Sequence, residues 1–210
     1  MTASTAGQYK RHLARYLPAE AIEGVYDILN RHAVRLHITR ERHSKLGDYR
    51  WPQPLHQGHE ISVNGNLGQY MFLVVILHEI AHLDTRLQYN GRVLPHGHEW
   101  QRNYSNRLRE FRHCFPPESL DLLDSYTAHI PLHRRTGEEF ERILKCADGT
   151  SSTDEIHLDD LPPGTLFRLA GHPDTLFRSI ERRRTRWICQ HQGNGRQYLV
   201  RGTAPVSPEL

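Results

Sequence analysis

The chain has little sulfur, no long apolar run and no large excess of either charge. Its three cysteines, Cys114, Cys146 and Cys189, are scattered and odd in number. That excludes a disulfide framework and a CxxC-type zinc ribbon, and they read as free thiols in a reducing compartment. The longest apolar run, Met71 to Leu77, falls far short of the roughly 20 residues a membrane-crossing helix needs. The N-terminal stretch "MTASTAGQYKRHLARYLPAE" lacks the apolar core of a secretory signal. The expected location is the cytoplasm, with no membrane partner. No internal repeat or low-complexity tract is present.

What is there suits a globular protein. With 210 residues, 37% hydrophobic and 24% charged, the chain can bury one ordinary core and carry a small appendage. The net charge of +3 is unevenly spread. Residues 148–160, "DGTSSTDEIHLDD", hold five acids and no Lys or Arg, whereas residues 164–201 hold eight arginines against Asp174 and Glu181. Such a shift, with "LPPG" behind it, reads as an acidic linker before a small basic module. The expected division is a main domain over 8–115, a helical extension over 116–147, a linker over 148–162 and a β module over 163–206.

Periodicity fills in the elements. "PAEAIEGVYDILNRHAV", with Ala21, Val25, Ile28 and Leu29 at helical spacing, predicts an amphipathic helix. "VRLHITR", "SKLGDYRWP" and "HEISVNGNL" predict three strands, the last closing on Asn64-Gly65. From Gln69 to about Gln88 the pattern is helical and apolar nearly all round in its first half, so this helix should lie inside the fold. Asn90-Gly91 is its expected stop. A polar helix follows from about His98 to His113, then helices near 118–128 and 137–146. Short strands in "GTLFRLAG", "DTLFRSI", "RTRWICQH" and "RQYLVRG" predict a small antiparallel sheet or barrel.

Residues 77–100, "LHEIAHLDTRLQYNGRVLPHGHEW", carry four histidines and two glutamates. On a helix His78 and His82 stand one turn apart on one face, so two imidazoles can take two corners of a zinc tetrahedron. Glu79 adjoins them and can hold a water on the metal as a general base. With 16 histidines in the chain, a chance HExxH must be weighed. The setting counts against chance: Val74, Val75, Ile76, Leu77, Ile80, Ala81 and Leu83 surround the three ionisable groups, and burying them without a metal would cost several kcal/mol. A catalytic zinc wants three protein ligands and an open position. Gln88 and Thr85 stand where one common pattern needs His and Gly, which leaves His96, His98 and Glu99 as third-ligand candidates. Spacing alone does not separate His96 from His98. Arg92, His98 and Tyr104 are near enough in sequence to be considered as an oxyanion donor. The "ISVNGNL" strand is a candidate edge for pairing with an extended substrate.

"LHEIAHL" (77–83) together with "PHGHEW" (95–100) resembles the SprT-like (Spartan-type) zinc metalloproteases, whose pattern is HExxH followed some 14 or 15 residues on by a His-Gly pair. "KLGDYRWPQP" and "HEISVNGNL" are similar to the bacterial SprT-like subgroup, and the likeness covers roughly residues 15–115, extending more weakly to the tail. The resemblance implies an α+β fold with a zincin-like metalloprotease core, helices packed on a small three-stranded sheet with HExxH on a buried helix, then a small antiparallel β module. It implies one Zn²⁺ per chain, His96 as third ligand beside His78 and His82, and Glu79 passing a proton from the attacking water to the leaving amine. The substrate would be a protein or peptide, with DNA or DNA-bound proteins as further candidate partners. The four-cysteine ribbon that ends many SprT proteins is absent here, so its functions do not carry over.

In the tail, "ERRRTRW" offers Arg182, Arg183, Arg184 and Arg186 as candidate phosphate contacts, with Trp187 either stacking on a base or filling a small core. Two other readings stand beside the zinc endopeptidase. One is a non-catalytic nucleic-acid- or protein-binding module with a structural zinc; the other is a zinc hydrolase acting on something other than peptides.

Overall fold

The computed structural model describes residues 3–42, 44–53, 58–128, 134–150, 156–183 and 186–209. The fold is mixed α+β and divides into two compact units, residues 1–151 and 152–210. The boundary falls inside the acidic stretch, of which residues 151–155 lie outside the described ones. Among the described residues no helix is long and apolar enough to cross a membrane.

The first unit opens with α1 (Ala3–Leu13), which sequence periodicity does not reveal, because Leu13 is its one large aliphatic residue. Then α2 (Ile22–Arg31) buries Val25, Tyr26, Ile28 and Leu29. Strands β1 (Arg35–Thr39), β2 (Gly47–Arg50) and β3 (Glu60–Asn64) form a sheet in the order β1-β3-β2. β1 runs parallel to β3, and β2 runs antiparallel to it. Alternation in β3 puts Ile61 and Val63 into the core, both fully buried. Asn64, also buried, donates through Nδ2 to the carbonyls of Arg42 and Lys45 and so fixes the loop that leads into β2.

This order corrects one expectation. The "ISVNGNL" strand is central, with both edges occupied by β1 and β2, so it has no backbone groups left for a substrate. β1 and β2 are the outer strands.

Behind the sheet lies α3 (Gln69–Tyr89), buried on most of its circumference from Met71 to Leu83. Gly68 precedes it and has no side chain to cap the first turn. The cap comes from far away in sequence: the Asp148 carboxylate accepts from the backbone N–H groups of Tyr70 at 2.9 Å and Met71 at 3.0 Å. A Cβ on Gly68 would sit 2.3 Å from Asp148, so the close approach depends on the glycine. At the other end Asn90, left-handed at φ 50°, stops the helix.

α4 (His98–Glu110) crosses α3 and is fastened to it by polar contacts. Arg107 donates twice to Asp84, at 2.7 and 2.8 Å, and buried Asn103 donates to Thr85 Oγ1 and Gln88 Oε1. α5 (Leu120–Ala128) and α6 (Arg134–Ala147) complete the unit. Phe140 and Leu144 of α6 join the same core as α3.

In the second unit β4 (Leu166–Leu169), β5 (His172–Arg182), β6 (Arg186–His191), β7 (Gln197–Arg201) and β8 (Val206–Pro208) pair antiparallel in the order β7-β6-β5-β4-β8. Its core is Leu158, Phe167, Phe177, Trp187, Cys189 and Val206. Asp159 organises one end, accepting from both Arg182 Nε and Nη2 and from Trp187 Nε1.

Candidate metal centre

Three imidazoles meet where α3 passes the turn before α4. His78 and His82 come from successive turns of α3, with ring centroids 5.0 Å apart. His96 Nε2 lies 3.0 Å from His82 Nε2 and 3.2 Å from His78 Nε2. The three ligand atoms could hold a metal ion. Tetrahedral zinc with bonds of about 2.0–2.1 Å separates its ligand nitrogens by roughly 3.3 Å, within a few tenths of the two distances observed. The donor set, three imidazoles, fits the same ion. His98 and Glu99 do not belong to the cluster.

The third imidazole is delivered by a strained turn. His96 has φ 58°, a left-handed conformation unusual for a residue with a side chain. The Gly97 N–H donates to the Leu94 carbonyl, and Gln101 Nε2 donates at 2.8 Å to the His96 carbonyl. Sequence reasoning missed Gln101, since nothing in "HGHEWQ" marks it as more than a helix residue. Trp100 floors the cluster, its ring 4.6 Å from His78, 5.2 Å from His82 and 4.5 Å from His96, and it stacks on Tyr104.

Burial keeps the imidazoles in the neutral form that binds metal. It lowers His78 to about 3, aided by repulsion from His82 and His96, and His82 to about 4, aided by His96. His96 is lowered for the same reason. Glu79 moves the other way: burial, with a smaller push from the Asp48 carboxylate, raises it to about 8 against the pull of Lys45 and Arg42. β2 lies directly over this carboxylate. A Cβ on Gly47 would come within 2.5 Å of Glu79 Oε1 and 2.8 Å of Val75 Cγ1, so only glycine lets the strand pass so close.

His78, Glu79, His82, His96, Trp100 and Tyr104 line one cleft of about 850 Å³, with Lys45, Gly47, Asp48 and Val75. The Lys45–Tyr49 stretch forms one wall, and β2 within it pairs with no further strand on its outer side among the described residues. At one rim the Arg86 guanidinium sits over the Trp51 ring, 5.1 Å from its centroid. Of the three oxyanion candidates Tyr104 lines the cleft, and Arg92 and His98 do not. Burial raises the Tyr104 phenol well above its ordinary value, so it keeps its proton. Trp100 Nε1 is buried without a hydrogen-bond partner.

Of the four tail arginines, Arg182, Arg183 and Arg186 lie among the described residues, at the β5–β6 hairpin. Arg182 is engaged by Asp159, and Arg183 lies 3.3 Å from Glu181. Arg184 lies outside the described residues. Arg186 stands directly across the β6–β7 ladder from Arg201. Trp187 is 4% exposed and fills the core of its unit. Comparison with protein-family models, with curated proteins and with solved structures gives no match for this chain.

Proposed function

We propose that the chain is a zinc-dependent endopeptidase of SprT-like type. One observation carries the reading: three imidazole nitrogens converge in a cleft that also holds a buried carboxylate, Glu79, and an outer strand, β2. Zinc, when bound, supplies positive charge that acidifies water and polarises a carbonyl. That charge beside Glu79 also draws its raised value back down.

The chain's own groups supply the rest. Glu79 takes the proton from the attacking water through a carboxylate oxygen and returns it to the leaving amine nitrogen. Tyr104, protonated and in the cleft, donates to the carbonyl oxygen as charge builds there. The free edge of β2 pairs with the backbone of an extended substrate, a role the central strand β3 cannot take. A purely structural zinc site needs neither a base nor a cleft, which favours the enzyme over a binding module. The resemblance adds DNA-associated proteins as candidate substrates.

The test is cleavage of β-casein by the zinc-loaded chain, with and without single-stranded DNA. Glu79→Gln is expected to bind zinc normally and lose cleavage; full retained activity would sink the mechanism. His96→Ala is expected to lose zinc, and unchanged zinc content would refute the third ligand.

A further inference from the structure

We infer that strand β7 is a dimerisation edge. It pairs antiparallel with β7 of a second copy of this chain, across a two-fold axis at Leu199. The inference concerns the second unit and does not rest on the peptidase reading.

The two ends of the five-stranded sheet differ. At one end β8 is three residues long and finishes on Pro208, which has no N–H to offer. Its outer side is covered from within the unit. The Val206 N–H donates to the Ile156 carbonyl at 2.8 Å, the Leu158 N–H donates to the Ala204 carbonyl at 3.1 Å, and His157 bridges to Pro205.

At the other end β7 has no such cover. The His191 N–H donates to the Arg196 carbonyl, so the bonds tying this strand to β6 fall at alternate residues, Arg196, Tyr198 and Val200. Gln197 and Leu199 therefore turn both backbone groups outward. Among the described residues no backbone hydrogen bond reaches them. Arg201 also turns its N–H outward, while its carbonyl accepts from Ala204. The strand carries no proline or lysine, and its pairing with β6 runs without a bulge. Those are the usual devices that keep an edge from pairing. Leu199 and Tyr198 are 58% and 42% exposed, the two most exposed large apolar side chains of the unit.

The strand is complementary to itself. In an antiparallel pair centred on Leu199, that residue exchanges both backbone bonds with the partner's Leu199. Gln197 then faces the partner's Arg201, and Tyr198 faces the partner's Val200. Charge selects this arrangement. Across β6, Arg201 already faces Arg186, and a further arginine on its other side would add repulsion. A parallel pair in register would set Arg201 beside the partner's Arg201. The antiparallel pair sets it beside a neutral glutamine, whose amide oxygen accepts from the guanidinium.

Apolar contacts follow the same symmetry. Ile188 lies opposite Leu199, so one row of Ile188, Leu199, the partner's Leu199 and the partner's Ile188 crosses the joint. On the other face Tyr198, whose ring meets Phe177 edge-on at 6.0 Å, gains a β-branched neighbour. Both copies use the same edge, and the covered β8 side offers none, so association stops at two.

The experiment is sedimentation velocity of the full chain. Between about 5 and about 500 µM it should pass from monomer to dimer, with a dissociation constant on the order of 100 µM, as suits an interface below about 1,200 Å². Leu199→Lys sets two ammonium groups together at the axis and should weaken association on the order of 10-fold, with the urea midpoint unchanged. Leu199→Pro removes the outward N–H, spares the bonds to β6 and should act likewise. Ile180→Lys, at an exposed apolar position on β5, should leave association unchanged. Under oxidised glutathione Leu199→Cys should cross-link two copies beyond the wild-type background. Arg201→Cys should not, because the register holds its two copies about 13 Å apart along the strands. A chain that is monomeric throughout the range overturns the inference. So does a dimer that survives both Leu199 variants, one that Ile180→Lys disrupts equally, or cross-linking of Arg201→Cys as fast as Leu199→Cys.

Discussion

At the scale of single residues, three buried ionisable groups carry opposite stability costs in protein freed of metal by a chelator. His78 and His82 titrate in the fold at about 3 and 4, against about 6.5 in the unfolded chain. As pH falls below 6.5 the unfolded state takes up protons that the folded state refuses, so these residues lower stability on the acid side. Glu79 titrates at about 8 in the fold, against about 4.3 unfolded. Between those values the folded state keeps a proton that the unfolded state has lost, so stability falls as pH rises. Two histidines outweigh one glutamate below 6.5, and Glu79 acts alone above it. The contribution of these groups should therefore peak near pH 6.5, as read by urea denaturation across pH. Glu79→Gln should flatten the limb between about 6.5 and 8; an unchanged alkaline limb would mean that Glu79 is already ionised in the fold.

Gly47 makes a second prediction at this scale. With Cβ contacts of 2.5 Å to Glu79 and 2.8 Å to Val75 in prospect, Gly47→Ala must displace either the strand or the carboxylate. Zinc content should survive, because no ligand moves, while cleavage drops on the order of 100-fold for a base displaced by about 1 Å. Full activity in the variant would show that the strand gives way freely.

At the scale of elements, α3 is held from both ends by residues distant in sequence. Its first turn lacks a local cap, and Asp148 fills that place, favoured also by the positive end of the helix dipole. Asp148→Ala should cost about 1 kcal/mol of stability, measured by denaturant midpoint, with Asp148→Asn milder because it keeps an acceptor. The helix pattern from Gln69 onward and the Asn90 stop were readable from periodicity alone, and so were α2, β1, β2, β3 and α4. Hydrophobic period reports which face of a segment is buried. It does not report which partner covers that face, so the central place of β3 and the parallel β1–β3 pairing were not readable. Nor was β8, three residues long and too short to show a period.

At the scale of the whole molecule, charge is the property that bears on DNA. The second unit places Arg186 and Arg201 opposite each other on neighbouring strands, where like charges repel and a polyanion would relieve them. The DNA part of the proposed function predicts binding of a single-stranded oligonucleotide at low salt that weakens steeply as salt rises. The double variant Arg186→Ala, Arg201→Ala should bind more weakly with a shallower salt dependence. Arg182→Ala should instead act on stability, since its partner is Asp159. No binding at low salt would remove DNA from the reading.

The sequence by itself determined the HExxH pair on a buried helix, the three thiols without a framework and the small β unit after an acidic stretch. All of these are set by local spacing and composition. The choice of His96 came from resemblance, because spacing left His98 open. Tertiary structure alone brought His96 to within 3.2 Å of the other two imidazoles, through a left-handed turn tied down by Gln101. It alone set Gly47 against Glu79 and Asp148 on α3. Each of these contacts joins residues far apart along the chain, and their meeting depends on how the helices and sheet pack, which no local pattern encodes.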